Sequence, residues 1–348
     1  MRWSRHRAVI LMLLVAVIAL AANDSPPASP IHKQKYAMGT VFEIAAYDTP
    51  DHQAALAIDN AFQEIVRLDA VMSNYKPDSE LSRLNRTAHF HPRPVSHDLF
   101  RVIAQSLPYS TISDGKFDIS VGPLVDLWKA QLRGERLVSA EDEKKARDCV
   151  GYKKIRLLPR NRVEFLSSCL RLDVGSIGKG YAVDRAAEIL RRYGIDRALI
   201  SAGGSTIYAI GAPPGQAGWL VHLRDPSAQV RPEVLLKDSS VSSSEQTSAS
   251  VLGNKPAGHI IDPQQGTPLK TSFAVSVVAN TATASDALST TLLLLGPEAG
   301  KPVVQEIAGT AAVWISPGEH VESASNGAKF ATRHNSQLSH GVEHASSN

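Results

Sequence analysis

The segment from residue 283 to 295 constrains the fold most, because it is a helix-like run that is apolar over most of its surface. A helix of this kind has to be buried against other elements rather than lie on the surface. We expect Thr283 to cap its start and Gly296 to end it. Asp286 and Thr290 are four residues apart and therefore share one face of the helix.

Asp286 has two interpretations at this point. An unpaired buried carboxylate is costly, so it needs a partner, and a hard cation such as Mg²⁺ takes oxygen ligands. Alternatively, Asp286 is the polar edge of a core helix, stabilised by the helix macrodipole near the N-terminus.

The start of the chain is typical of an export signal. Arg2, Arg5 and Arg7 precede an uncharged apolar stretch over residues 8–20, and a small-x-small site follows at residues 19–21. We interpret residues 1–21 as a signal peptide, with an uncleaved anchor as the alternative, and residues 22–31 as a linker.

Charge excludes one class of function. Three of the 37 Lys and Arg residues lie in residues 1–21, which hold no acidic residue, so the rest of the chain carries 34 charges of each sign. A near-neutral chain without basic clusters does not indicate a nucleic-acid surface.

The order of helices and strands predicts the fold class. With 348 residues and 43% hydrophobic content, the chain can build a sizeable core in one domain or two lobes. Helices and strands interleave without regular alternation, so we predict an α+β fold with mixed sheets and flanking helices over residues 32–334. The polar residues 335–348 are expected to be a disordered tail. Helical periodicity or end signals predict helices at 51–72, 79–85, 96–109, from 139, 180–193, around 286 and 297–307; strands are expected at 35–40, 41–45, 153–158, 162–165, 198–201, 206–210, 218–223, near 241, at 274–279 and at 311–315.

Cys149 and Cys169 are the two cysteines of the chain. They flank two expected strands, and a hairpin would bring them together. In an exported protein a disulfide between them is one expectation, and two unpaired thiols are an equal alternative.

Four short motifs carry candidate chemistry, and each also has a purely structural interpretation. The glycine-rich stretch before the helix at 180 includes Lys179 and suits phosphate oxygens, although it could equally be a tight turn. Ser201 to Ser205 contain paired glycines that let backbone approach a ligand. His259 could act as an acid or base near neutral pH, or be structural. Tyr75 could stack on a flat ligand, or belong to the core.

The order of the motifs is more specific than any one of them. Met-Gly-Thr at 38–40 is followed by Ser-x-Tyr at 73–75, Phe-Asp-x-x-Val-Gly-Pro-Leu-Val-x-Leu-Trp at 117–128, and Leu-Asp-x-Gly-x-Ile-x-Lys-Gly-Tyr-Ala-Val-Asp at 172–184. Gly-Gly at 203–204, His-Ile-Ile-Asp-Pro at 259–263 and Asp-Ala-Leu-x-Thr at 286–290 complete the series. From about residue 35 to 315 the chain closely resembles the ApbE family of FAD:protein FMN transferases.

The resemblance implies an exported, two-lobed single domain in the periplasm or at the outer face of the inner membrane. With Mg²⁺, such an enzyme moves the FMN moiety of its substrate FAD onto a Thr or Ser hydroxyl of an acceptor protein and releases AMP. The acceptor would be a protein such as a subunit of a membrane respiratory complex.

The resemblance also assigns site residues by motif. The metal ligands would be Asp286, Thr290 and Ser176, the last through its backbone carbonyl. Flavin-nucleotide contacts would come from Met38, Tyr75, Lys116, Phe117, Asp118, Asp173, Lys179 and Ile260. A catalytic base would be Asp173, Asp262 or His259, and the sequence does not choose among them.

One stretch departs from the family pattern. Where the family often has Thr-Ser-Gly-x-Tyr, this chain has Ser-Ser-Glu-Gln-Thr at 243–247. This departure leaves two other functions open: an FAD pyrophosphatase, in which water replaces the acceptor hydroxyl, and a non-catalytic exported FAD-binding protein. The metal-binding pair Asp286 and Thr290 argues against the second, because storage needs no metal ligands.

Overall fold

A computed structural model of the protein describes residues 29–49, 52–246, 259–318 and 320–328. The expected signal peptide (1–21), most of the linker (22–31), Thr247, Gly258 and the expected tail (335–348) lie outside these ranges. Within them, no helix combines the length and the apolar character needed to cross a bilayer.

Seven α-helices form in the described ranges, and most begin where the sequence predicts. They are α1 (Ala54–Met72), α2 (Glu80–Thr87), α3 (His97–Ile112), α4 (Gly122–Leu132), α5 (Ala140–Cys149), α6 (Gly178–Arg192) and α7 (Ala282–Glu306). Ser79, Ser96 and Ser139 cap α2, α3 and α5 through their side chains, and at α5 a full capping box forms with Asp142.

The strands build one large sheet and three small ones. They are β1 (Ile31–Ala37), β2 (Thr40–Ala46), β3 (Arg93–Pro94), β4 (Ile155–Leu158), β5 (Arg162–Phe165), β6 (Ala198–Ala202), β7 (Thr206–Ile210), β8 (Trp219–His222), β9 (Glu233–Leu236), β10 (Ser239–Glu245), β11 (Ile261–Asp262), β12 (Thr267–Pro268), β13 (Ala274–Ala279), β14 (Thr310–Ile315) and β15 (Val321–Asn326). The large sheet has the order β1-β2-β6-β7-β10-β13-β14-β15.

The α+β class with flanking helices is confirmed. All ladders between the named strands of the described ranges are antiparallel, which refines the expectation of mixed sheets. Neighbouring strands here are connected by short turns or by longer segments, such as the one between β2 and β6 that contains α1 to α6, and after each connection the chain runs in the opposite direction.

Helices cover one face of the large sheet. The main core lies between the β1-β2-β6-β7 half and helices α1, α3 and α6, and a second core lies between α7 and strands β13 and β14. The β8-β9 hairpin covers part of the opposite face. Helices α1, α6 and α7 pack side by side, which places the start of α6 against the start of α7.

The boundaries of α7 require one correction and support one prediction. Thr281, not Thr283, is the cap, since the Thr281 side chain accepts a hydrogen bond from the Ala284 amide. Gly296 has φ 73° and interrupts the helix, so α7 consists of two helical parts that meet at a kink there. The predicted stop at Gly296 is therefore confirmed.

Several elements were not predicted. No helix was predicted over the stretch that forms α4, although Pro123 in its first turn is a typical helix start. Strands β3, β9, β11, β12 and β15 were also missed. All five are short or partly exposed, so their apolar pattern is weak.

Candidate functional site

A cavity of about 1090 Å³ brings the motifs together. It lies among the β1-β2 turn, the end of α1, the start of α4, the loop before α6, the end of β10 and the start of α7. Twelve of the residues assigned from sequence line it: Met38, Tyr75, Lys116, Phe117, Asp118, Asp173, Ser176, Lys179, His259, Ile260, Asp286 and Thr290.

Asp286 is buried in the cavity wall, with 5% of its surface exposed. Its Oδ2 accepts a hydrogen bond from the Gly180 amide at 2.9 Å, and its Oδ1 accepts one from the Thr206 hydroxyl at 3.2 Å. The Lys179 ammonium lies 3.7 Å from Oδ1. Since a carboxylate has about four lone-pair sites, these donors leave capacity for a further ligand.

Gly180 is required where α6 meets α7. A Cβ at this position would lie 2.2 Å from the Ala282 carbonyl oxygen and 2.7 Å from the Asp286 Cβ. The absence of a side chain therefore allows the close approach that lets the Gly180 amide reach the carboxylate.

Asp184 fixes the start of α7 and was quoted in a motif but given no role from sequence. Its carboxylate accepts hydrogen bonds from the Ala282 amide at 2.7 Å, the Thr283 amide at 2.8 Å and the Thr283 hydroxyl at 2.5 Å. Burial raises the pKa of Asp184, and these hydrogen bonds oppose the rise. Asp184 thus satisfies amides that the first turn of a helix leaves free.

A chain of buried, hydrogen-bonded hydroxyl groups leads from Thr206, which donates to Asp286, to residues of β10 and α7. The Ser242 hydroxyl donates to Thr206 Oγ1 at 3.2 Å and lies 2.7 Å from Ser285 Oγ, which lies 2.8 Å from Ser240 Oγ. All four residues are at most 1% exposed. This chain of hydroxyl groups was not predicted, because its members belong to β7, β10 and α7, which are far apart in the sequence. The alternating serines of β10 were the signal that could have indicated it.

The three candidate metal ligands are compatible with a hard cation. Asp286 offers carboxylate oxygens, Thr290 a hydroxyl 3.4 Å from Ser244 Oγ, and Ser176 a backbone carbonyl in the loop before α6. These are the oxygen donors that Mg²⁺ prefers. No group of three or more His, Cys, Asp or Glu side chains suited to a metal occurs in the described ranges, so one carboxylate would supply the anionic ligand.

Tyr75 and Phe117 lie in different environments. Tyr75 is 78% exposed at the cavity mouth, where the Lys129 ammonium donates to its hydroxyl at 2.9 Å and lies 4.9 Å from its ring centroid. This ring is available for stacking, so the alternative of a core tyrosine is wrong. Phe117 is 1% exposed and packs edge-on against Tyr109, so it shapes the cavity floor more than it contacts a ligand.

Asp118 is used to hold a loop. Its carboxylate accepts hydrogen bonds from the Ser120 amide at 2.8 Å and the Tyr152 amide at 2.7 Å. Burial raises the pKa of Asp118, and both amides oppose the rise. The disulfide between Cys149 and Cys169 lies nearby in the chain, so of the two alternatives that the sequence left open the disulfide is the one that forms.

Asp262 differs from the other two candidate bases. It is 1% exposed and does not line the cavity. Its Oδ1 accepts from the amides of Gln264 and Gln265 in a turn, and its Oδ2 lies 3.4 Å from the Lys116 ammonium. This geometry favours a structural role for Asp262, which positions Lys116, over the base role expected from sequence.

Asp173 and His259 both face the cavity. Asp173 Oδ1 accepts a hydrogen bond from the Gly175 amide at 2.8 Å, and the Asp173 amide donates to the Ile119 carbonyl at 2.7 Å. His259 is an exposed residue by its surface area, yet partial loss of hydration in the cavity lowers the pKa of its imidazole, and the positive charge of Lys179 lowers it further. Glu245 acts in the opposite direction, and the net effect is a pKa below the ordinary value.

The unusual run at 243–247 has a clear structural role up to Gln246. The Gln246 amide group donates to the Ile260 carbonyl at 2.9 Å and to the Leu269 carbonyl at 3.1 Å, and accepts from the Ile260 amide at 3.2 Å. It thereby holds the segment that carries His259. Glu245 pairs with Arg224 at 3.3 Å on the cavity wall.

Six cationic side chains line the cavity, one more than the number of acidic side chains there. Among them are Lys35, Lys116, Lys129, Lys179 and Arg224. A cavity of this size with several ammonium groups suits a large anionic ligand with phosphate groups.

Comparison with known proteins gives a consistent result. The sequence model of the ApbE family matches residues 38–314. An Escherichia coli (strain K12) protein named FAD:protein FMN transferase is 28% identical over 312 residues, which cover 85% of this chain and 89% of that protein. A Haemophilus influenzae protein of the same name is 30% identical over 285 residues, 77% of this chain and 82% of that protein.

A solved structure has the same fold. The apo form of the Pseudomonas stutzeri flavinyl transferase ApbE superimposes with a TM-score of 0.75 at 28% identity, covering 86% of this chain and 96% of that one. The family match includes every residue assigned to the site from sequence.

Proposed function

Because the chain belongs to the ApbE family, we propose that it is a flavin transferase that moves the FMN moiety of FAD onto an acceptor protein. In finer detail, we propose that the reaction depends on Mg²⁺, that the acceptor atom is a Thr or Ser hydroxyl oxygen, and that AMP is the second product. An exported enzyme of this kind would act on a subunit of a membrane respiratory complex.

The buried Asp286 carboxylate in a cavity rich in lysine is the observation that supports this function most. Phosphoryl transfer requires positioning and charge neutralisation rather than covalent help from the protein. The cavity supplies both, since Lys179 lies 3.7 Å from Asp286 Oδ1 and Lys116 is fixed by Asp262 on another wall.

A divalent cation fits the oxygen donors near Asp286. Asp286, the Thr290 hydroxyl and the Ser176 carbonyl would hold it, and the bound ion would neutralise charge on phosphate oxygens. The protein keeps the carboxylate in place without it, through the Gly180 amide and the Thr206 hydroxyl.

The remaining side chains would bind and orient the substrate. Tyr75 offers an exposed ring for stacking on a flat ring system, and Lys129 holds that ring by its hydroxyl. Lys179 is anchored to the Gly175 carbonyl at 3.2 Å, which aims its ammonium along the loop before α6.

The proposed reaction exchanges one bond to phosphorus for another. The acceptor hydroxyl oxygen forms a bond to the phosphorus of the FMN moiety, and the bond from that phosphorus to the AMP oxygen breaks. The hydroxyl proton passes to Asp173 or His259, which both face the cavity. The lowered pKa keeps His259 neutral near pH 7, the form that can accept a proton.

One experiment separates the three functions that the sequence leaves open. The mature protein is mixed with FAD, Mg²⁺ and a purified soluble domain of a respiratory-complex subunit that carries an acceptor Thr; the same domain with that Thr changed to Val is the control. Transfer predicts AMP release together with covalent flavin on the Thr domain only. Equal AMP release with both domains would indicate a pyrophosphatase, and FAD binding without AMP release would indicate a storage protein.

A further inference from the structure

Within the described ranges, the outer edge of β1 has no strand paired with it, and this edge leads into the cavity. β1 is the first strand of the large sheet and pairs with β2 on one side. Its last residues, Lys35 to Ala37, and the turn at Met38 and Gly39 line the cavity. The other edge strand of the sheet, β15, contributes nothing to the cavity wall.

The register shows which backbone groups of β1 point outwards. The Gly203 amide donates to the Val41 carbonyl, and the Tyr47 amide donates to the Arg197 carbonyl, so the odd-numbered residues of β2 bond to β6. The even-numbered residues of β2 therefore bond to β1, where their partners are the odd-numbered residues. The N–H and C=O groups of His32, Gln34 and Tyr36 consequently face away from the sheet.

These outward groups have no backbone partner within the described ranges. Gln34, Lys35 and Tyr36 are exposed, Tyr36 with 71% of its surface. Lys33 is directed elsewhere, since its ammonium binds the Asp59 carboxylate and the Ala55 carbonyl of α1. An open edge with this arrangement is a template for pairing with an extended segment of another chain.

The turn at the end of β1 is packed against the loop that carries the candidate metal ligand Ser176. A Cβ on Gly178, the first residue of α6, would lie 3.6 Å from the Met38 Cε. Two residues further along α6, the Gly180 amide donates to Asp286. A strand advances about 3.3 Å per residue. A segment paired with Gln34 and Tyr36 therefore reaches the cavity within about three further residues.

We infer that the acceptor protein binds by adding an extended segment to the outer edge of β1, with its acceptor hydroxyl a few residues beyond the part paired with Gln34 and Tyr36. This inference rests on the proposed function and names how its protein substrate is bound. The backbone of β1 supplies the register, and the exposed ring of Tyr36 contacts the side chains of the added strand.

Gln34→Pro tests the edge directly, because proline removes the outward N–H and is tolerated on edge strands. Gln34→Ala is the matched control, since it removes the same side chain and keeps the N–H. Gln34 does not line the cavity. We expect Gln34→Pro to raise the KM for the acceptor domain about tenfold relative to Gln34→Ala, with the KM for FAD and the melting temperature unchanged.

A second measurement uses the unmodified protein and so does not depend on a variant folding. In hydrogen exchange, saturating acceptor domain should slow exchange of the Gln34 and Tyr36 amides. Equal acceptor KM for the two variants, or unchanged exchange at both amides, would overturn the inference while leaving transfer itself intact. A dimer of the wild-type chain that Gln34→Pro abolishes, with acceptor KM unchanged, would assign the edge to a second copy instead. Absence of any transfer by the wild type would contradict the proposed function.

Discussion

Replacing Thr206 by Val should weaken metal binding by removing a donor that orients Asp286. The Thr206 side chain is fully buried, and its hydroxyl donates to Asp286 Oδ1 at 3.2 Å. Val has nearly the same shape, so the change removes the hydrogen bond without opening a cavity. Thr206→Ser keeps the hydroxyl and is the matched control.

The size of the effect follows from burial and charge. A hydrogen bond to a charged group contributes about 1.5–3 kcal/mol, and burying the added methyl group offsets about 0.8 kcal/mol. We therefore expect the free energy of unfolding to fall by about 1–2 kcal/mol, with a melting temperature lower by a few degrees. Removing a group that orients a metal ligand typically weakens metal affinity about 10–100-fold.

The assay is Mn²⁺ binding followed through the electron paramagnetic resonance signal of free Mn²⁺, which does not depend on turnover. Thr206→Val should raise the Mn²⁺ Kd at least tenfold, and Thr206→Ser should stay within about twofold of the wild type. In transfer assays, Thr206→Val should need more Mg²⁺ but recover most of its kcat at saturation. If Thr206→Val binds Mn²⁺ as tightly as Thr206→Ser, the role assigned to Thr206 and its hydroxyl chain is wrong.

Three other predictions test separate parts of the structure. Gly180→Ala places a Cβ 2.2 Å from a backbone carbonyl of α7 and should cost about 1–3 kcal/mol in urea unfolding, whereas Gly178→Ala, whose nearest neighbour lies at 3.6 Å, should be nearly neutral. Reduction of the disulfide, which links cysteines 20 residues apart, should lower the free energy of unfolding by about 3 kcal/mol; an unchanged urea midpoint would contradict this. If transfer needs neutral His259, activity is lost as pH falls through its lowered pKa. Lys179→Gln removes a positive charge and should move that acid limb to higher pH, and Glu245→Gln should move it to lower pH. Identical acid limbs in both variants would exclude His259 as the group that titrates.

Much of the fold was predictable because its long helices have clear periodicity and end signals. The helices at Ala54–Met72 and Gly178–Arg192 follow from apolar spacing, and the kink follows from the glycine at position 296. The short strands were less accessible. A two-residue strand such as β11 is identified by its pairing with β12 across the turn. Two residues are too few to show the alternation that predicts a strand.

The site was predictable only as a set of motifs, because the motifs are far apart in the chain. Asp286 was singled out correctly as a buried carboxylate that needs partners, but two of those partners, Gly180 and Thr206, are 106 and 80 residues away. Gln246 was noted only as a departure from a pattern. Its role in holding the backbone at Ile260 depends on the approach of β10 to that segment.

Covalent flavin on the acceptor domain tests the central claim most directly. The domain is incubated with FAD, Mg²⁺ and either the wild type or Asp286→Asn, then denatured and examined by in-gel flavin fluorescence. Asn has the shape of Asp but lacks the negative charge beside Lys179, and its amide nitrogen replaces one of the two oxygens that accept hydrogen bonds from Gly180 and Thr206, so the variant should bind FAD and melt a few degrees below the wild type. The gel should show a fluorescent acceptor band with the wild type and a loss of at least 100-fold with Asp286→Asn. A band of equal intensity with the folded variant would contradict the assignment of Asp286 to the transfer site.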